Sequence, residues 1–399
     1  MNNFENSFID LFSGAGGLSC GLEQAGFFPI IANEINPKYA ATYQINHPST
    51  KVMVCDIKNI DEKRLLKEID RFHSIDLIAG GPPCQGFSIN APKRSVDDPR
   101  NNLFKDYLRI VKEIKPKAIL IENVPGIFSL DNGSVIEQIY EFLENIGYKV
   151  DHKILFAGHY GIPQLRFRTI IIGIYNYHNK IEFPQPQYYA NAIANFQNSK
   201  ELCFSLTPMH EYMLKPKVTV IDAIGDLPEI CDSEKKSTYI YEQEPQCAYQ
   251  KLMRIDSEKI TSHFCSKLSE INQKRLKYIP VGGSWRDIPY DLLPKGLQRA
   301  KRSDHTKRYG RLDPNDLCST ILTKCDPHWG SFFHPNQPRT ISVREAARIQ
   351  SFPDRYRFIG TMTEQYAQVG NSVPPLMAKA IGSSIKMMIN GLDNESRTS

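Results

Sequence analysis

The stretch SFIDLFSGAGGLSCGLEQAG, residues 7–26, sets the expectation for the fold of the whole chain. SFIDLF (7–12) is a short apolar run typical of a buried strand, and LSCGLEQAG is a helix pattern that Gly26 can end. The glycine-rich turn SGAGG stands between them. PIIANE (29–34) then predicts a second strand, so the region indicates two strands joined by a helix, the unit from which parallel sheets are built.

Strand and helix patterns continue to alternate as far as about residue 180. Further strands are predicted at VMVCDI (52–57), SIDLIAG (74–80), KAILIENV (117–124), YKVDHKILFA (148–157) and FRTIIIGIY (167–175). Further helices are predicted at KYAATYQIN (38–46), NLFKDYLRIVKEI (102–114) and VIEQIYEFLENIG (135–147). We therefore predict an α/β fold with a doubly wound, mostly parallel sheet, in which ligands bind at the carboxyl ends of the strands.

The alternation stops near residue 180, and a different composition begins. Residues 181–337 are rich in Pro, Asn, Gln and Tyr and have weak periodicity, which predicts an inserted irregular lobe. Helix patterns return within the last segment, in TISVREAARIQSF and PLMAKAIGSSIKMMING. We predict an α/β domain over 1–180, the inserted lobe over 181–337, and a C-terminal segment, 338–399, that returns to the first domain.

Composition excludes several classes of protein. The chain has 399 residues, 41% of them apolar, yet no run of about 18 apolar residues, so we expect no membrane span. The segment MNNFENSF lacks the basic and apolar regions of a signal peptide. None of the nine cysteines is spaced C-x-x-C, so we expect reduced thiols and neither a disulfide framework nor a metal site.

Positive charge is concentrated in one part of the chain. Residues 271–311 contain eleven Lys or Arg and three Asp, a net charge of +8, whereas the whole chain carries +5. The remainder is therefore slightly acidic. Such a distribution indicates either a polyanion partner or a solvated basic surface.

The turn SGAGG has features of a nucleotide-type cofactor site. Gly14, Gly16 and Gly17 would let backbone N–H groups approach a ligand closely, although such glycines can also serve only a tight turn. Glu34 at the end of the next strand can hold the hydroxyls of a ribose, and Asp56 can accept from an adenine amino group. These residues alone do not separate NAD from S-adenosylmethionine. The departure from G-x-G-x-x-G favours S-adenosylmethionine, which has no pyrophosphate.

GGPPCQGFS, residues 80–88, contains a cysteine in a stiff loop at the end of a predicted strand. Many single cysteines are inert core residues, but Glu122 ends the next strand, and Arg166 and Arg168 lie in QLRFR. Adjacent strand ends would bring Cys84 and Glu122 together. Arginines would favour the reactive thiolate, whereas Glu122 would oppose it, so we expect Glu122 to bind substrate.

Several segments, in this order, closely resemble the signature motifs of the cytosine-C5 DNA methyltransferases. They are FIDLFSGAGGLSCGLEQAGF, GGPPCQGFS, ENV, QLRFR, REAARIQSFPD and YAQVGNSVPP, and they cover residues 7–174 and about 338–399. The resemblance implies a methyltransferase fold, double-stranded DNA as substrate and S-adenosylmethionine as cofactor, with S-adenosylhomocysteine as product. The stretch between QLRFR and REAARIQSFPD corresponds to the family's target-recognition lobe.

The resemblance also implies roles for individual residues. Cys84 would be the nucleophile that adds to cytosine C6, Glu122 would engage N3 and the exocyclic amine, and Arg168 with Arg166 would support the base and its O2. The cofactor pocket implied in this way comprises Phe12, Ser13, Gly14, Ala15, Gly16, Gly17, Glu34, Ile35, Asp56, Ile57, Pro83, Leu103, Asn371, Ser372 and Val373.

Attack on the ring requires the cytosine to be flipped out of the duplex. The polar segment SINAPKRSVDDPRNN (88–102) is interpreted as a loop that closes over the flipped DNA, with Ser88 and Lys93 near phosphates, or else as an ordinary surface loop. Candidates for base or phosphate contacts in the lobe are Arg286, Arg308, Arg311, Thr320 and Lys324.

Several residues of the lobe and the C-terminal segment have expectations of their own. The pair Thr320-Ile321 is the nearest match to the family's Thr-Leu pair. Trp285 either contacts DNA or only packs the lobe. Arg344 and Arg348 are expected to hold the lobe to the catalytic domain.

Two alternatives remain: a tRNA cytosine-C5 methyltransferase and a non-catalytic DNA-binding relative. The 155-residue stretch without an obvious tRNA-type motif opposes the first, and intact Cys84 and Glu122 oppose the second. A dehydrogenase would leave Cys84 unexplained. We expect a monomeric, cytoplasmic, nucleoid-associated bacterial enzyme, whose site a cognate restriction endonuclease shares.

Overall fold

The computed structural model describes residues 6–69, 75–83, 103–192, 212–230 and 238–398. The chain divides into two compact units. Unit 1 comprises Met1–Tyr160, Phe167–Lys215 and Val373–Ser399, and unit 2 comprises Gly161–Arg166 and Pro216–Ser372. These limits differ from the predicted domain boundaries, because the described residues 181–192 and 212–215 belong to unit 1 and residues 338–372 belong to unit 2.

The strands and helices have the following bounds. The strands are β1 (Ser7–Leu11), β2 (Phe28–Asn33), β3 (Lys51–Met53), β4 (Leu77–Gly80), β5 (Ala118–Asn123), β6 (Tyr148–Phe156), β7 (Gln164–Leu165), β8 (Phe167–Tyr175), β9 (Tyr188–Tyr189), β10 (Lys215–Pro216), β11 (Thr238–Tyr239), β12 (Ile260–Thr261), β13 (Gly310–Arg311), β14 (Cys318–Ser319) and β15 (Ser331–Phe333). The α-helices are α1 (Gly17–Gln24), α2 (Pro37–Asn46), α3 (Glu62–Ile69), α4 (Leu103–Ile114), α5 (Ser134–Asn145), α6 (Val220–Ile224), α7 (Ala248–Met253), α8 (Glu270–Leu276), α9 (Lys295–Gln298), α10 (Val343–Ile349), α11 (Met362–Asn371) and α12 (Pro375–Thr398).

A seven-stranded sheet in the order β3-β2-β1-β4-β5-β8-β6 forms the centre of unit 1. Strands β1 to β5 are parallel, and β8 pairs antiparallel with both β5 and β6. The predicted α/β fold with a mostly parallel sheet is confirmed. The strand order reverses between β1 and β4, and a crevice for ligands is expected outside the carboxyl ends of the strands at such a point.

Burial on both faces explains the continuous apolar runs of the central strands. All five residues of β1 and all four of β4 are buried, as expected for a parallel sheet covered by helices. Helix α4 packs Phe104, Leu108 and Val111 into this core. The Tyr107 hydroxyl donates to the Ile78 carbonyl at 2.8 Å, which satisfies a polar group that is fully buried.

Helices α1 and α12 are in close contact within unit 1. A Cβ atom at Gly21 would lie 2.2 Å from the Pro375 carbonyl oxygen and 2.5 Å from the Ala378 Cβ. The absence of a side chain at Gly21 therefore allows the two helices to approach. This contact brings part of the C-terminal segment, from Val373 onward, into unit 1.

Unit 2 has only short strands and helices, in keeping with its weak periodicity. An apolar cluster that includes Ile279, Trp285, Leu297 and Phe333 forms part of its core. Helix α10 lies within the predicted helix pattern TISVREAARIQSF and begins at Val343, where Ser342 and Glu345 form a capping box. No helix among the described residues is long and apolar enough to span a membrane.

Candidate active site

The turn after β1 has an unusual backbone. Phe12, Gly14 and Gly16 all have positive φ values, of 59°, 56° and 89°. The backbone N–H of Ser13 donates to the Asn33 carbonyl at 2.9 Å, which ties the turn to β2. A Cβ atom at Gly14 would meet no atom within 4 Å, so open space adjoins the turn. Ala15, Gly16 and Gly17 are buried as the turn enters α1.

Glu34 follows β2 and organises this turn through its carboxylate. Its Oε2 accepts from the Gly14 N–H at 2.9 Å, and its Oε1 accepts from the Asn36 N–H at 2.8 Å. Burial raises the pKa of Glu34, and these backbone donors oppose the rise. The next residue, Ile35, is an apolar side chain that is 64% exposed. The pair therefore presents a carboxylate and an apolar surface beside the Gly14 turn.

The third strand is shorter than predicted. VMVCDI was expected to be a strand over 52–57, but β3 ends at Met53. Asp56 instead caps a 3-10 helix, Ile57–Asn59, by accepting from the Lys58 N–H at 3.0 Å. This uses Oδ1 of Asp56, and Ile57 is buried beside it.

A buried polar cluster next to the turn was not predicted from the sequence. Asp10 in β1 accepts from the Ser19 hydroxyl at 2.5 Å, and Ser19 is 2.7 Å from the Tyr43 hydroxyl. Burial raises the pKa of Asp10 to about 7; the Ser19 hydrogen bond opposes the rise and Glu34 adds to it. The signal in the sequence is a lone carboxylate inside the apolar run SFIDL.

An ion pair joins the carboxyl end of β5 to the start of β8. Arg168 Nε in β8 lies 2.6 Å from Glu122 Oε1, and both side chains are largely buried. A Cβ atom at Gly81 would lie 3.0 Å from Glu122 Oε2, so the backbone after β4 adjoins this carboxylate. Asn123 Nδ2 donates to the Pro82 carbonyl at 3.0 Å and fixes the start of the Pro-Pro loop.

Burial lowers the pKa of the Arg168 guanidinium, and the charge of Glu122 opposes this effect. Arg168 Nη1 also donates to the Phe167 carbonyl at 2.7 Å. The structure therefore brings Glu122 and Arg168 together, with Pro83 at the end of the described part of the loop. Cys84, Ser88, Lys93 and the rest of segment 88–102 lie outside the described residues.

Arg166 differs from Arg168 in its surroundings, although only one residue separates them. Its guanidinium is 1% exposed and donates to the carbonyls of Gly370 at 3.0 Å and Ser372 at 2.9 Å. A third, longer bond reaches the Ile321 carbonyl at 3.4 Å. All these partners belong to unit 2. Arg166 was predicted to support the target base. Its contacts in the structure are instead those of a buried residue that holds neighbouring backbone in place.

The remaining predicted cofactor residues are spread over several elements. Leu103 begins α4 and packs against the core of unit 1. Asn371 is exposed at the end of α11 in unit 2, and the Ser372 carbonyl is held there by Arg166 and by Gln350 Nε2 at 2.6 Å. Val373 is buried in unit 1.

The predicted DNA contacts in unit 2 differ in their surroundings. Arg311 and Thr320 have internal partners: Arg311 Nε donates to the Pro335 carbonyl at 2.9 Å, and the Thr320 hydroxyl donates to the Leu165 carbonyl at 2.5 Å. Arg286 and Lys324 are exposed, and Arg286 Nε donates to the Ser284 hydroxyl at 3.2 Å. Arg308 lies over the ring of Trp329.

Trp285 packs the interior of unit 2. It is 3% exposed, and its indole N–H donates to the His305 carbonyl at 3.1 Å. Trp329 was not singled out in the sequence, and it is the exposed tryptophan of the chain's two.

Arg344 and Arg348 hold parts of unit 2 to each other. Arg348 is fully buried and pairs with Asp226 and with Asp354, the latter at 2.6 Å. Arg344 donates to the Thr261 carbonyl at 2.9 Å. The expectation that these arginines join the lobe to the catalytic domain is corrected, because these partners all belong to unit 2.

Comparison with known proteins gives an independent finding. Residues 6–387 match the family model of the C-5 cytosine-specific DNA methylases. The chain is 34% identical to the Type II methyltransferase M.AgeI of Thalassovita gelatinovora, over 96% of this chain and 99% of that protein. It is also 34% identical to the Type II methyltransferase M1.HphI of Haemophilus parahaemolyticus, over 96% of this chain and 87% of that protein.

A solved structure is similar over nearly the whole chain. It is a prophage-encoded E. coli protein described as a DNA modification methyltransferase, with a TM-score of 0.73 and 28% identity. The similarity covers 96% of this chain and 99% of that one.

Proposed function

The chain belongs to the C-5 cytosine-specific DNA methylase family, and on that premise we propose how its residues methylate C5 of a cytosine in double-stranded DNA. Cys84 is the nucleophile, the Glu122–Arg168 pair holds the base, and the turn after β1 holds the methyl donor. The observation that carries the proposal is the 2.6 Å contact between Arg168 and Glu122 at the carboxyl ends of the sheet, beside the loop that leads to Cys84.

The residues after β1 and β2 fit S-adenosylmethionine as the methyl donor. Open space adjoins Gly14, the Glu34 carboxylate can accept from ribose hydroxyls, and the exposed Ile35 side chain can pack on an adenine ring. When bound, this cofactor supplies a methyl group on a positively charged sulfur. Oδ1 of Asp56 caps the 3-10 helix, so Oδ2 is the atom proposed to accept a hydrogen bond from the adenine amino group.

Glu122 and Arg168 would orient the target cytosine by complementary hydrogen bonds. Glu122 can accept from the exocyclic amine and share a proton with ring N3, which draws electrons from the ring. Among the described residues, Arg168 Nη2 has no hydrogen bond, so it can donate to O2 while Nε keeps the carboxylate in place. The ion pair thus prepositions both groups before DNA arrives.

Cys84 supplies the covalent step. Its thiolate adds to C6 and forms a sulfur–carbon bond, and the displaced electron pair makes C5 nucleophilic enough to take the methyl group. A base then removes the C5 proton, the electrons return to the ring, and the bond from sulfur to C6 breaks. The cytosine must leave the duplex for this attack, at a cost of a few kcal/mol.

We assign Arg166 a positioning role in place of the predicted contact with O2. Its donors are used by the carbonyls of Gly370 and Ser372, in the first half of the GNSVPP motif (370–375). Arg166 therefore supports the segment from which Asn371 and Val373 are proposed to reach the cofactor. This role explains a buried arginine one residue before β8 without asking it to contact a base.

Unit 2, with the basic stretch 271–311, would provide the DNA-recognition surface, as the predicted target-recognition domain. A bacterial cytoplasmic location follows from a chromosomal substrate. We also propose a restriction endonuclease that shares the DNA site, which sequencing of the neighbouring genes of the host would check. The protein is proposed to be a monomer, which its mass in solution would check.

Methyl transfer from labelled S-adenosylmethionine tests the proposal. The protein should label duplex DNA and leave tRNA unlabelled. Label in tRNA alone would favour the RNA alternative, and label in neither would contradict catalysis by this chain. Sequencing of bisulfite-treated host DNA would then identify the methylated cytosine.

A further inference from the structure

We propose that Arg308, braced on the ring of Trp329, recognises a guanine in the DNA target, with Trp329 as the positioning residue. The inference rests on the proposed function, because it names a base that this enzyme would select. It concerns a set of stacked side chains in unit 2, here called the Trp329 stack: Arg308, Trp329, His328, Tyr309 and Arg275.

The contacts along the Trp329 stack are continuous. The Arg308 guanidinium lies 5.3 Å from the Trp329 ring centre, within the range of a cation–π interaction. His328 packs edge-on against Trp329 at 5.1 Å and against Tyr309 at 5.9 Å. Arg275 covers Tyr309 at 5.3 Å. The exposed end of the stack is thereby supported from the interior of unit 2.

The backbone around the stack is held by hydrogen bonds. The Arg308 carbonyl accepts from the Trp285 N–H at 3.0 Å, and the Arg308 N–H donates to the His305 carbonyl at 2.9 Å. The Tyr309 N–H donates to the Pro327 carbonyl at 2.6 Å, which joins the two loops that carry Arg308 and Trp329. The stack is therefore fixed before any ligand binds.

The guanidinium of Arg308 differs from those of several other arginines of unit 2 in its hydrogen bonds. Arg275, Arg311, Arg344 and Arg348 all donate to carbonyls or carboxylates. Among the described residues, the Arg308 guanidinium donates no hydrogen bond, although it is half-buried. Its planar set of donors is thus oriented by the Trp329 ring and remains available to a ligand.

The surroundings fit an edge of a base pair. Trp329 is 54% exposed, an unusual state for so large an apolar side chain. It walls a pocket of about 260 Å³ whose lining also includes Lys307, Ser319 and Thr320. Bidentate donation from arginine to guanine O6 and N7 is the commonest specific contact in the major groove, and it demands a fixed guanidinium plane.

Selection from a duplex library tests the inference independently of catalysis. The full-length protein is incubated with DNA randomised around a central cytosine, and bound DNA is sequenced for the wild type, Arg308→Lys, Trp329→Ala, Trp329→Phe and the matched control Arg355→Ala. Arg355 is an exposed arginine of the same unit that lies outside the basic stretch 271–311. Thermal unfolding is measured for every variant.

Arg308→Lys and Trp329→Ala should both relax the preference for guanine at one and the same position, by roughly ten- to a hundredfold, and leave the other positions unchanged. Trp329→Phe should keep most of the preference, and Arg355→Ala all of it. An unchanged guanine preference in Arg308→Lys, an equal loss at all positions in Trp329→Ala, or a wild type that selects no guanine would overturn the inference. A wild type that selects its site without methylating it would contradict only the proposed chemistry.

Discussion

Arg168 Nε lies 2.6 Å from Glu122 Oε1, and the two side chains are only 13% and 12% exposed. The pair joins the carboxyl end of β5 to the start of β8, next to the loop that leads to Cys84. Burial of such a pair costs desolvation energy, and removal of one partner destabilises the fold because the other charge is left buried without a counter-ion. Its presence at the carboxyl ends of the strands places two complementary hydrogen-bonding groups where a substrate base is expected.

Removal of the Glu122 charge should abolish most of the turnover. We expect Glu122→Gln to lower kcat by about 10²–10⁴-fold, because an amide cannot share a proton with cytosine N3. DNA binding at the target site should persist within severalfold. The measurement is single-turnover methyl transfer, with the exposed Glu141→Gln as the control. A variant Glu122→Gln with wild-type kcat would remove Glu122 from the mechanism.

The contact between α1 and α12 should be sensitive to one methyl group. Gly21→Ala would place a Cβ atom 2.2 Å from the Pro375 carbonyl, so the helices must separate. We expect a loss of about 2–3 kcal/mol in the free energy of unfolding. Gly296→Ala is the control, since nothing lies within 4 Å of its Cβ position. Urea unfolding measures both, and equal stability of the two variants would show that α12 does not pack here.

Asp10 should make stability depend on pH. Burial raises its pKa from 3.8 to about 7, so the folded state binds the proton more tightly than the unfolded state does. The stabilising contribution is therefore complete below pH 4 and is lost as the pH rises through 7. Asp10→Asn cannot ionise.

Between pH 4 and pH 8 the wild type should lose on the order of 4 kcal/mol in the free energy of unfolding relative to Asp10→Asn, because only the wild type has to ionise this buried group. Urea titrations at a series of pH values give this difference. The exposed Asp256→Asn serves as a control and should follow the wild type. Parallel curves for wild type and Asp10→Asn would mean that Asp10 ionises normally.

Arg348 should be essential for unit 2. It is fully buried between Asp226 and Asp354, so Arg348→Met would remove the cation that these two buried carboxylates share and leave Asp226 paired with Arg254 alone. We expect a loss of about 3–5 kcal/mol in the free energy of unfolding. The exposed Arg355→Met should be nearly neutral. A stable Arg348→Met protein would indicate that the carboxylates find protons or other donors.

The sequence predicts much of unit 1 because local patterns and fold rules agree there. The run SFIDL, the glycine turn and the helix pattern after it indicate a parallel sheet. Glu34, Gly81 and Glu122 lie at the carboxyl ends of its strands. The predicted end of β3 was wrong, because the strand ends at Met53 and Asp56 caps a 3-10 helix.

Other parts of the structure depend on contacts that no local pattern encodes. Arg166 and Arg168 alternate in QLRFR, yet one donates to Gly370 and Ser372 while the other pairs with Glu122. The exposure of Trp329, in contrast to Trp285, depends likewise on residues distant in sequence. The partners of Arg348 likewise include Ala223 and Asp226, more than 100 residues earlier, as well as Asp354 nearby.

Cys84 should bond covalently to C6 of the target cytosine during methyl transfer. The bond can be trapped on the duplex target with fluorine in place of hydrogen at C5, because the proton needed for release is then absent. With S-adenosylmethionine present, we expect a stable protein–DNA adduct whose mass includes one added methyl group, and whose digestion places the nucleotide on Cys84. No adduct on a duplex that the protein binds, or an adduct on another residue, would contradict it.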